Sequence, residues 1–223
     1  MSSFAQRRIC FSSPPRRCII ERLAILLSGR GSNFLSIATA IREGRLPGCE
    51  IAVVLSNRPD APGLAAAREL GLPAIAVPQV GKGAEARAAH DAAMIAHLHD
   101  YKVDIVCLAG YMRIISPAFV EAFPNRILNV HPSLLPSFPG LEAQTQAFEA
   151  GVKLAGCTVH FVDEQVDHGV IILQRAVPVL DDDTPATLSA RILEQEHQAY
   201  PEAIARVIGG EYGVIGRHFR KKA

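Results

Sequence analysis

The sequence predicts an α/β fold: a Rossmann-like, open and mostly parallel sheet with helices on both faces and an antiparallel strand in its C-terminal part. Three observations support this fold class. From Arg22 onward, short apolar runs alternate with longer helical patterns, as in parallel sheets covered by helices. Several of these runs are continuously apolar, which is typical of strands buried on both faces. After Pro139 the alternation changes, and two apolar runs flank one loop.

The predicted strands are short runs of aliphatic residues bounded by turn residues. They lie at 23–28, 51–56, 74–77, 105–108 and 127–130. The intervening stretches have the length and pattern of helices, at 33–43, 63–70, 83–101 and 117–123. A further helix is predicted at 144–150, and strands at 157–161 and 171–177 follow on either side of the loop 162–169. We expect these two strands to extend the sheet.

The last predicted helix begins at Thr184, with Pro185 at its first position. Proline suits that position because the N–H that it lacks would have no partner there. Three aspartates at 181–183 directly precede the helix, where the helix dipole favours negative charge. We expect Pro201 to kink or break this helix, because proline removes an internal hydrogen bond.

The composition is that of an ordinary globular chain of 223 residues, 49% hydrophobic and 20% charged,. A net charge of +1 gives no strong electrostatic attraction to nucleic acid or acidic membranes. No apolar run approaches the roughly 18 residues of a membrane-spanning helix. We therefore expect no nucleic-acid partner and no membrane insertion. The five cysteines lack CxxC spacing, so we expect neither a zinc site nor a disulfide framework. Free cysteines are typical of a reducing compartment.

No repeat or linker divides the chain, so we expect one domain at 22–210, followed by a basic tail at 211–223. The N-terminal extension at 1–21 is rich in arginine and serine and has no acid before Glu21. An organellar leader has this composition, and so does a disordered tail or a chain whose start is misassigned. We favour the latter two explanations, and hence a cytoplasmic protein.

A glycine-rich turn, Gly29-Arg30-Gly31-Ser32-Asn33, joins the first strand to the first helix. Backbone amides gather at such a helix N-terminus, and Ser32 and Asn33 add donors, which suits a phosphate group. The dinucleotide fingerprint is incomplete because Phe34 replaces its third glycine, and no Walker A sequence is present. The alternative is a tight turn with Ser32 as the helix N-cap. We favour phosphate binding, since the turn follows a parallel strand at its carboxyl end.

Asn129 and His131 mark the end of the fifth predicted strand, and Pro132 stops it. Strand side chains two positions apart share a face, so both point to one rim of the sheet. An asparagine amide can donate to an oxyanion, and a histidine can move a proton near neutral pH. The pair suits acyl chemistry, but capping the following turn is a simpler role. Taken alone, the pair slightly favours the cap.

Asp167 lies in the loop 162–169, just ahead of Gly169. An Asx turn explains an aspartate at this position. The alternative is a carboxylate that reaches His131 and orients its ring. We expect no metal site, because His97 and His99, two apart in a helical stretch, cannot share a face.

Four segments of the chain are considered together: Ser-Gly-Arg-Gly-Ser-Asn at 28–33, Leu-Ala-Gly-Tyr-Met-Arg at 108–113, Asn-Val-His-Pro-Ser-Leu-Leu-Pro at 129–136 and Asp-His-Gly at 167–169. In this order they resemble the phosphoribosylglycinamide formyltransferases, a family of folate-dependent formyl-transferring enzymes. The resemblance extends from residue 22 to about residue 210 and implies the formyltransferase fold. The segment 140–144 departs from the family pattern, which more often has histidine or another polar residue there.

The resemblance implies roles for individual residues. The catalytic residues would be Asn129, His131 and Asp167, without a metal. The residues that bind the phosphorylated substrate would be Gly31, Ser32, Asn33 and Glu196. From the residues alone, we would expect Glu196 to be an exposed acid on a helix. The folate contacts would be Arg87, Met112, Arg113, Ile114 and Ile115, together with Asn129.

The activity implied by the resemblance is transfer of the formyl group of 10-formyltetrahydrofolate to the amine of glycinamide ribonucleotide (GAR), in purine biosynthesis. The Asn129 amide and protonated His131 would stabilise an oxyanion, and His131 or a water held by Asp167 would carry a proton. The expected partners are these small molecules only, bound by a monomer or a homodimer.

Two other functions remain as alternatives, and a third is disfavoured. A formyltetrahydrofolate deformylase would use water as the acceptor, and a phosphate-binding protein would have no catalytic activity. A methionyl-tRNA formyltransferase would have an added C-terminal domain and a basic surface.

Overall fold

The computed structural model describes residues 20–222, so most of the predicted N-terminal extension lies outside the described residues. The strands are β1 (Glu21–Leu27), β2 (Cys49–Ser56), β3 (Ala74–Ala76), β4 (Ile105–Leu108), β5 (Ile127–His131), β6 (Leu154–Phe161), β7 (Ile171–Pro178), β8 (Tyr212–Ile215) and β9 (His218–Lys221). The helices are α1 (Ser32–Arg42), α2 (Pro62–Glu69), α3 (Ala84–Asp100), α4 (Pro117–Ala122), α5 (Ala143–Glu149) and α6 (Pro185–Ile208).

The main sheet has the strand order β3-β2-β1-β4-β5-β6-β7. Neighbouring strands from β3 to β5 pair in parallel, whereas β6 is antiparallel to β5 and β7 is antiparallel to β6. The structure therefore confirms the predicted fold class, including its antiparallel part. The strand order reverses between β1 and β4, and open α/β sheets bind ligands in the crevice at the carboxyl ends of such strands.

Two apolar clusters cover opposite faces of the sheet. Ile25 of β1 lies in the cluster that contains Phe34 of α1 and Tyr200 of α6. Its neighbour Leu26 lies in the cluster that contains Met94 of α3. Because successive strand side chains alternate faces, β1 contributes to both clusters and is buried on both sides. No helix among residues 20–222 combines the length and the apolar character that a bilayer crossing requires.

Tyr200 attaches α6 to the centre of the sheet. Its side chain is fully buried, and its hydroxyl lies 3.1 Å from the carbonyl oxygen of Leu108 and 2.9 Å from that of Leu128. Burial raises the pKa of Tyr200 well above its usual range, so the hydroxyl keeps its proton and can donate. The helix is thereby fixed across β4 and β5, at the carboxyl end of β4 and near the start of β5.

The predicted helices and strands are all present, with most bounds within about two residues of those predicted, and two differences are larger. β6 begins at Leu154, earlier than the predicted residue 157. The predicted break at Pro201 is wrong, since α6 runs through it as one helix. Pro201 is buried beside Tyr200, so the packing of the whole helix against the sheet offsets the hydrogen bond that proline removes.

The residues after 210, which the sequence sets apart as a basic tail, contain the hairpin β8–β9. The ring of Phe219 stacks on Tyr212 at 5.3 Å between centroids and meets Phe161 edge-on at 5.7 Å. Arg206 of α6 lies over the Tyr212 ring, 5.8 Å from its centroid. These contacts attach the hairpin both to the end of β6 and to α6.

Replacing Tyr200 by Phe should lower the free energy of unfolding by about 1–3 kcal/mol, because a buried carbonyl group then loses its donor. Tyr212→Phe is the matched control, since this tyrosine stands half-buried on the hairpin, and its change should stay below about 0.5 kcal/mol. Urea unfolding of both variants measures the difference. Equal stability of the two variants would contradict the role assigned to Tyr200.

Candidate active site

His131, the last residue of β5, lies in the crevice against Asp167. The Nδ1 atom of its ring is 3.3 Å from Oδ2 of Asp167, and the two side chains are 6% and 11% exposed. Its Nε2 atom lies 2.9 Å from the carbonyl oxygen of Phe138. Each ring nitrogen thus faces an oxygen acceptor, an arrangement that an imidazolium with two N–H donors satisfies completely. Both the position and the orientation of the ring are fixed.

Asp167 reaches His131 because the loop 162–169 turns sharply. The φ angle of Asp167 is 52°, in the left-handed region that non-glycine residues rarely adopt. Its Oδ2 atom accepts a hydrogen bond of 2.8 Å from the backbone N–H of Gly140. At Gly169, a Cβ atom would overlap the carbonyl oxygen of Phe161, so this position requires glycine. The loop therefore holds the carboxylate in one place.

His160 is a fourth member of the site, beside Asn129, His131 and Asp167, that the sequence did not reveal. Its Nδ1 atom lies 2.8 Å from the carbonyl oxygen of Phe161, and its Nε2 atom lies 3.2 Å from Nδ2 of Asn129. Burial lowers the pKa of His160, which favours the neutral ring. In the tautomer that donates from Nδ1, Nε2 accepts from the Asn129 amide. One amide hydrogen of Asn129 is thereby held, and the other remains for a ligand.

The register of the antiparallel pair explains why His160 lies in the site. Asn129 of β5 stands directly opposite His160 of β6, and directly opposed side chains in an antiparallel pair are close neighbours. His160 also lies 3.7 Å, from Nε2 to Oδ1, from Asp167. A prediction of the β5–β6 register would have been needed to find it.

The glycine-rich turn lies at the carboxyl end of β1, as predicted. Gly31 is the N-cap of α1 with φ 76°, and α1 has no side-chain cap, so the alternative role of Ser32 as N-cap is wrong. A Cβ atom at Gly31 would lie 3.1 Å from Cα of Gly63, and the N–H of Gly63 donates to the carbonyl of Gly29 at 3.1 Å. The start of α2 therefore supports the turn through direct backbone contact.

Asn33 and Glu196, both predicted to bind substrate, meet behind this turn. The Nδ2 atom of Asn33 donates to Oε2 of Glu196 at 2.7 Å, across 163 residues of sequence. Glu196 is 6% exposed, so it is not the exposed helix acid that its sequence context indicates. Burial raises the pKa of Glu196 to about 7, a larger effect than the lowering by the Asn33 hydrogen bond. Oδ1 of Asn33 is buried with no hydrogen-bond partner within residues 20–222.

The segment 112–115 presents an apolar surface beside the turn. Met112 and Ile114 are each 69% exposed, whereas Ile115 is buried. The N–H of Met112 donates to the Ser28 hydroxyl at 2.9 Å, and that hydroxyl donates to Oδ1 of Asn57 at 2.6 Å. The end of β1 thus ties this segment to the glycine-rich turn.

Two arginines predicted as folate contacts differ in placement. Arg113 donates from Nη2 to the side chain of Gln79, and its Nε atom is buried with no hydrogen-bond partner in the described part of the chain. Arg87 lies exposed on α3. In the described residues, no three His, Cys, Asp or Glu side chains are grouped so as to hold a metal ion.

Comparison with known proteins gives consistent matches. The formyl transferase family matches residues 21–204. The phosphoribosylglycinamide formyltransferase of Bacillus subtilis is 40% identical over 190 residues, which cover 85% of this chain and 96% of that protein. The trifunctional purine biosynthetic protein adenosine-3 of Drosophila melanogaster is 44% identical over 85% of this chain, but the match spans only 14% of that protein's length. The crystal structure of glycinamide ribonucleotide transformylase 1 from Symbiobacterium toebii has a TM-score of 0.87 and 52% sequence identity, covering 92% of this chain and 95% of that one.

The buried carboxyl of Glu196 should make stability depend on pH. Its pKa in the folded protein is about 7, above its ordinary value of 4.5. Its contribution is therefore fully present below about pH 4.5 and is lost as the pH rises to about 7, a loss of the order of 3 kcal/mol. Urea unfolding of the wild type and Glu196→Gln from pH 4.5 to 8 measures it, because glutamine does not titrate. A stability difference between the two that is constant across this range would contradict the burial effect.

Proposed function

This chain belongs to the formyl transferase family, and on that premise we propose that it transfers the formyl group of 10-formyltetrahydrofolate to the primary amine of GAR. The products are formylglycinamide ribonucleotide and tetrahydrofolate, and the reaction is a step of de novo purine biosynthesis. The observation that carries the proposal is the buried contact between His131 and Asp167 beside Asn129. It lies in a chain that matches nearly the whole length of a bacterial relative named phosphoribosylglycinamide formyltransferase.

In the proposed reaction, the amine attacks the formyl carbon directly. A carbon–nitrogen bond forms to the amine, the bond to the donor nitrogen breaks, and one proton passes from the amine to that nitrogen. Negative charge develops on the formyl oxygen meanwhile. The amide hydrogen of Asn129 that His160 leaves unused donates to this oxygen, and loss of one such donor typically costs about a hundredfold in rate. The two ring nitrogens of His131 already face Asp167 and Phe138, so a protonated His131 stabilises the oxygen through its positive charge.

Asp167 has two tasks in this proposal. Its carboxylate fixes the ring of His131, since Oδ2 faces Nδ1 at 3.3 Å. In this proposal it also holds a water that passes the proton between the two nitrogens. Because the pair is almost excluded from solvent, its electrostatic effect on the developing charge is stronger than it would be in bulk water.

The substrates are assigned to two sides of this centre. Gly31, Ser32 and Asn33 bind the phosphate of the ribonucleotide at the N-terminus of α1, and Glu196 holds Asn33 from behind. The exposed apolar side chains of Met112 and Ile114 suit the ring system of the folate, with Arg113, Ile115 and Arg87 as further contacts. Holding the two substrates in contact supplies much of the remaining acceleration.

This function requires only small-molecule substrates. A monomer or homodimer and a cytoplasmic location are part of the proposal and rest on the sequence. The folate enters as a cosubstrate that is consumed in each turnover.

Purified protein mixed with 10-formyltetrahydrofolate, with and without GAR, tests the proposal. We expect loss of the formyl donor only when the ribonucleotide is present, with one formylated product formed for each donor consumed. Loss of the donor without ribonucleotide would identify water as the acceptor and a deformylase activity instead. Tight ribonucleotide binding with no loss of donor would indicate a binding protein.

A further inference from the structure

The turn of the C-terminal hairpin contacts the loop that carries Asp167. Arg217 lies in this turn, between β8 and β9, next to Gly216 with φ 60°. Its Nη2 atom donates to the carbonyl oxygen of His168 at 2.7 Å. His168 directly follows Asp167 in the chain, so this hydrogen bond acts on the peptide unit beside the carboxylate.

A chain of side-chain contacts extends from Arg217 into the same loop. Its Nη1 atom lies 3.1 Å from Nε2 of His168, and Nδ1 of His168 lies 2.8 Å from Oδ2 of Asp163. With the ring proton on Nδ1, His168 accepts from Arg217 and donates to Asp163. Oδ1 of Asp163 in turn accepts from the backbone N–H of Gln165 at 3.0 Å. The contacts span the loop from its start to its end.

The loop needs such support because its conformation is costly. Asp167 adopts a left-handed φ of 52°, which costs a non-glycine residue about 1–2 kcal/mol. The intervening residues 164–166 are exposed and add little packing. A strained residue keeps its conformation only where its surroundings determine it, and Arg217 supplies a hydrogen bond on the C-terminal side of Asp167.

The hairpin is itself firmly placed. Phe219 packs edge-on against Phe161, the last residue of β6, and Tyr212 lies under Arg206 of α6. Both ends of the loop therefore contact fixed structure, with β6 before it and the hairpin turn against it.

We propose that Arg217 is a positioning residue, which holds His168 so that the Asp167 carboxylate stays against His131. The proposal rests on the proposed function, in which Asp167 takes part in formyl transfer. Arg217 lies beyond residue 204, where the family match ends, so the match assigns it no role. The C-terminal hairpin is then a functional part of the site and not only a cover for the sheet.

Arg217→Ala and Arg217→Lys test this inference, with Arg220→Ala as a matched control on the same hairpin, because Arg220 is also exposed. We expect Arg217→Ala to lower kcat about tenfold, since a displacement of about 1 Å near the reacting atoms is costly. Both KM values should stay within about twofold, because the binding contacts are unchanged. Arg217→Lys keeps a donor for the His168 carbonyl and should recover most of the turnover, and Arg220→Ala should match the wild type.

The same substitution in the Asp167→Asn background separates positioning from general destabilisation. If Arg217 acts through Asp167, its removal should not slow turnover further once the carboxylate is gone. The inference would be overturned if the losses of Arg217→Ala and Asp167→Asn multiplied in the double variant. It would also be overturned by an unchanged kcat in Arg217→Ala, or by an equal loss of kcat in Arg220→Ala. Absence of formyl transfer by the wild-type protein would overturn the proposed function instead, so the two failures can be told apart.

Discussion

The geometry of the site depends on one buried contact, the approach of Asp167 to the ring of His131 at 3.3 Å. Removing a carboxylate and an imidazole from water is costly, and their attraction repays that cost only when the geometry is good and the remaining polar atoms have partners. Here the Gly140 N–H and the Phe138 carbonyl provide those partners. The contact also joins two distant parts of the chain, the end of β5 and the loop after β6, so the antiparallel pairing of β6 with β5 is what makes it possible.

Burial has opposite effects on the pKa of two titratable groups of the site, His160 and Glu196. It lowers the pKa of His160 and raises that of Glu196 to about 7, and in both cases the neutral form gains. A neutral His160 accepts from the Asn129 amide and so orients it, while Glu196 fixes Asn33 behind the glycine-rich turn. Each predicted ligand-binding amide is therefore held by a buried partner, which is how a site maintains a precise arrangement before its substrates arrive.

The fold and the central residues could be predicted from sequence because their signals are local. Apolar runs alternating with helical patterns predicted the sheet, and the end of one run placed Asn129 and His131 at one rim. Their proposed catalytic roles, and that of Asp167, came from the family resemblance. The other features depend on how distant elements meet. His160 requires the register of β5 against β6, the burial of Glu196 requires the rotation of α6 over the sheet, and the contact of Arg217 with His168 spans 49 residues. The predicted break at Pro201 is wrong because the local preference of proline against helix interiors is outweighed by the packing of a long helix.

The most direct test of whether Asp167 and His131 act as one unit is the turnover of Asp167→Asn, of His131→Asn and of the double variant. Glu164→Gln, on the same loop as Asp167, is the control. Groups that work together in one step lose most of their effect when either is removed. The double variant should then be no more than about twofold slower than the slower single variant, and Glu164→Gln should match the wild type. Losses that multiply in the double variant would show that the two residues act independently and would contradict the account.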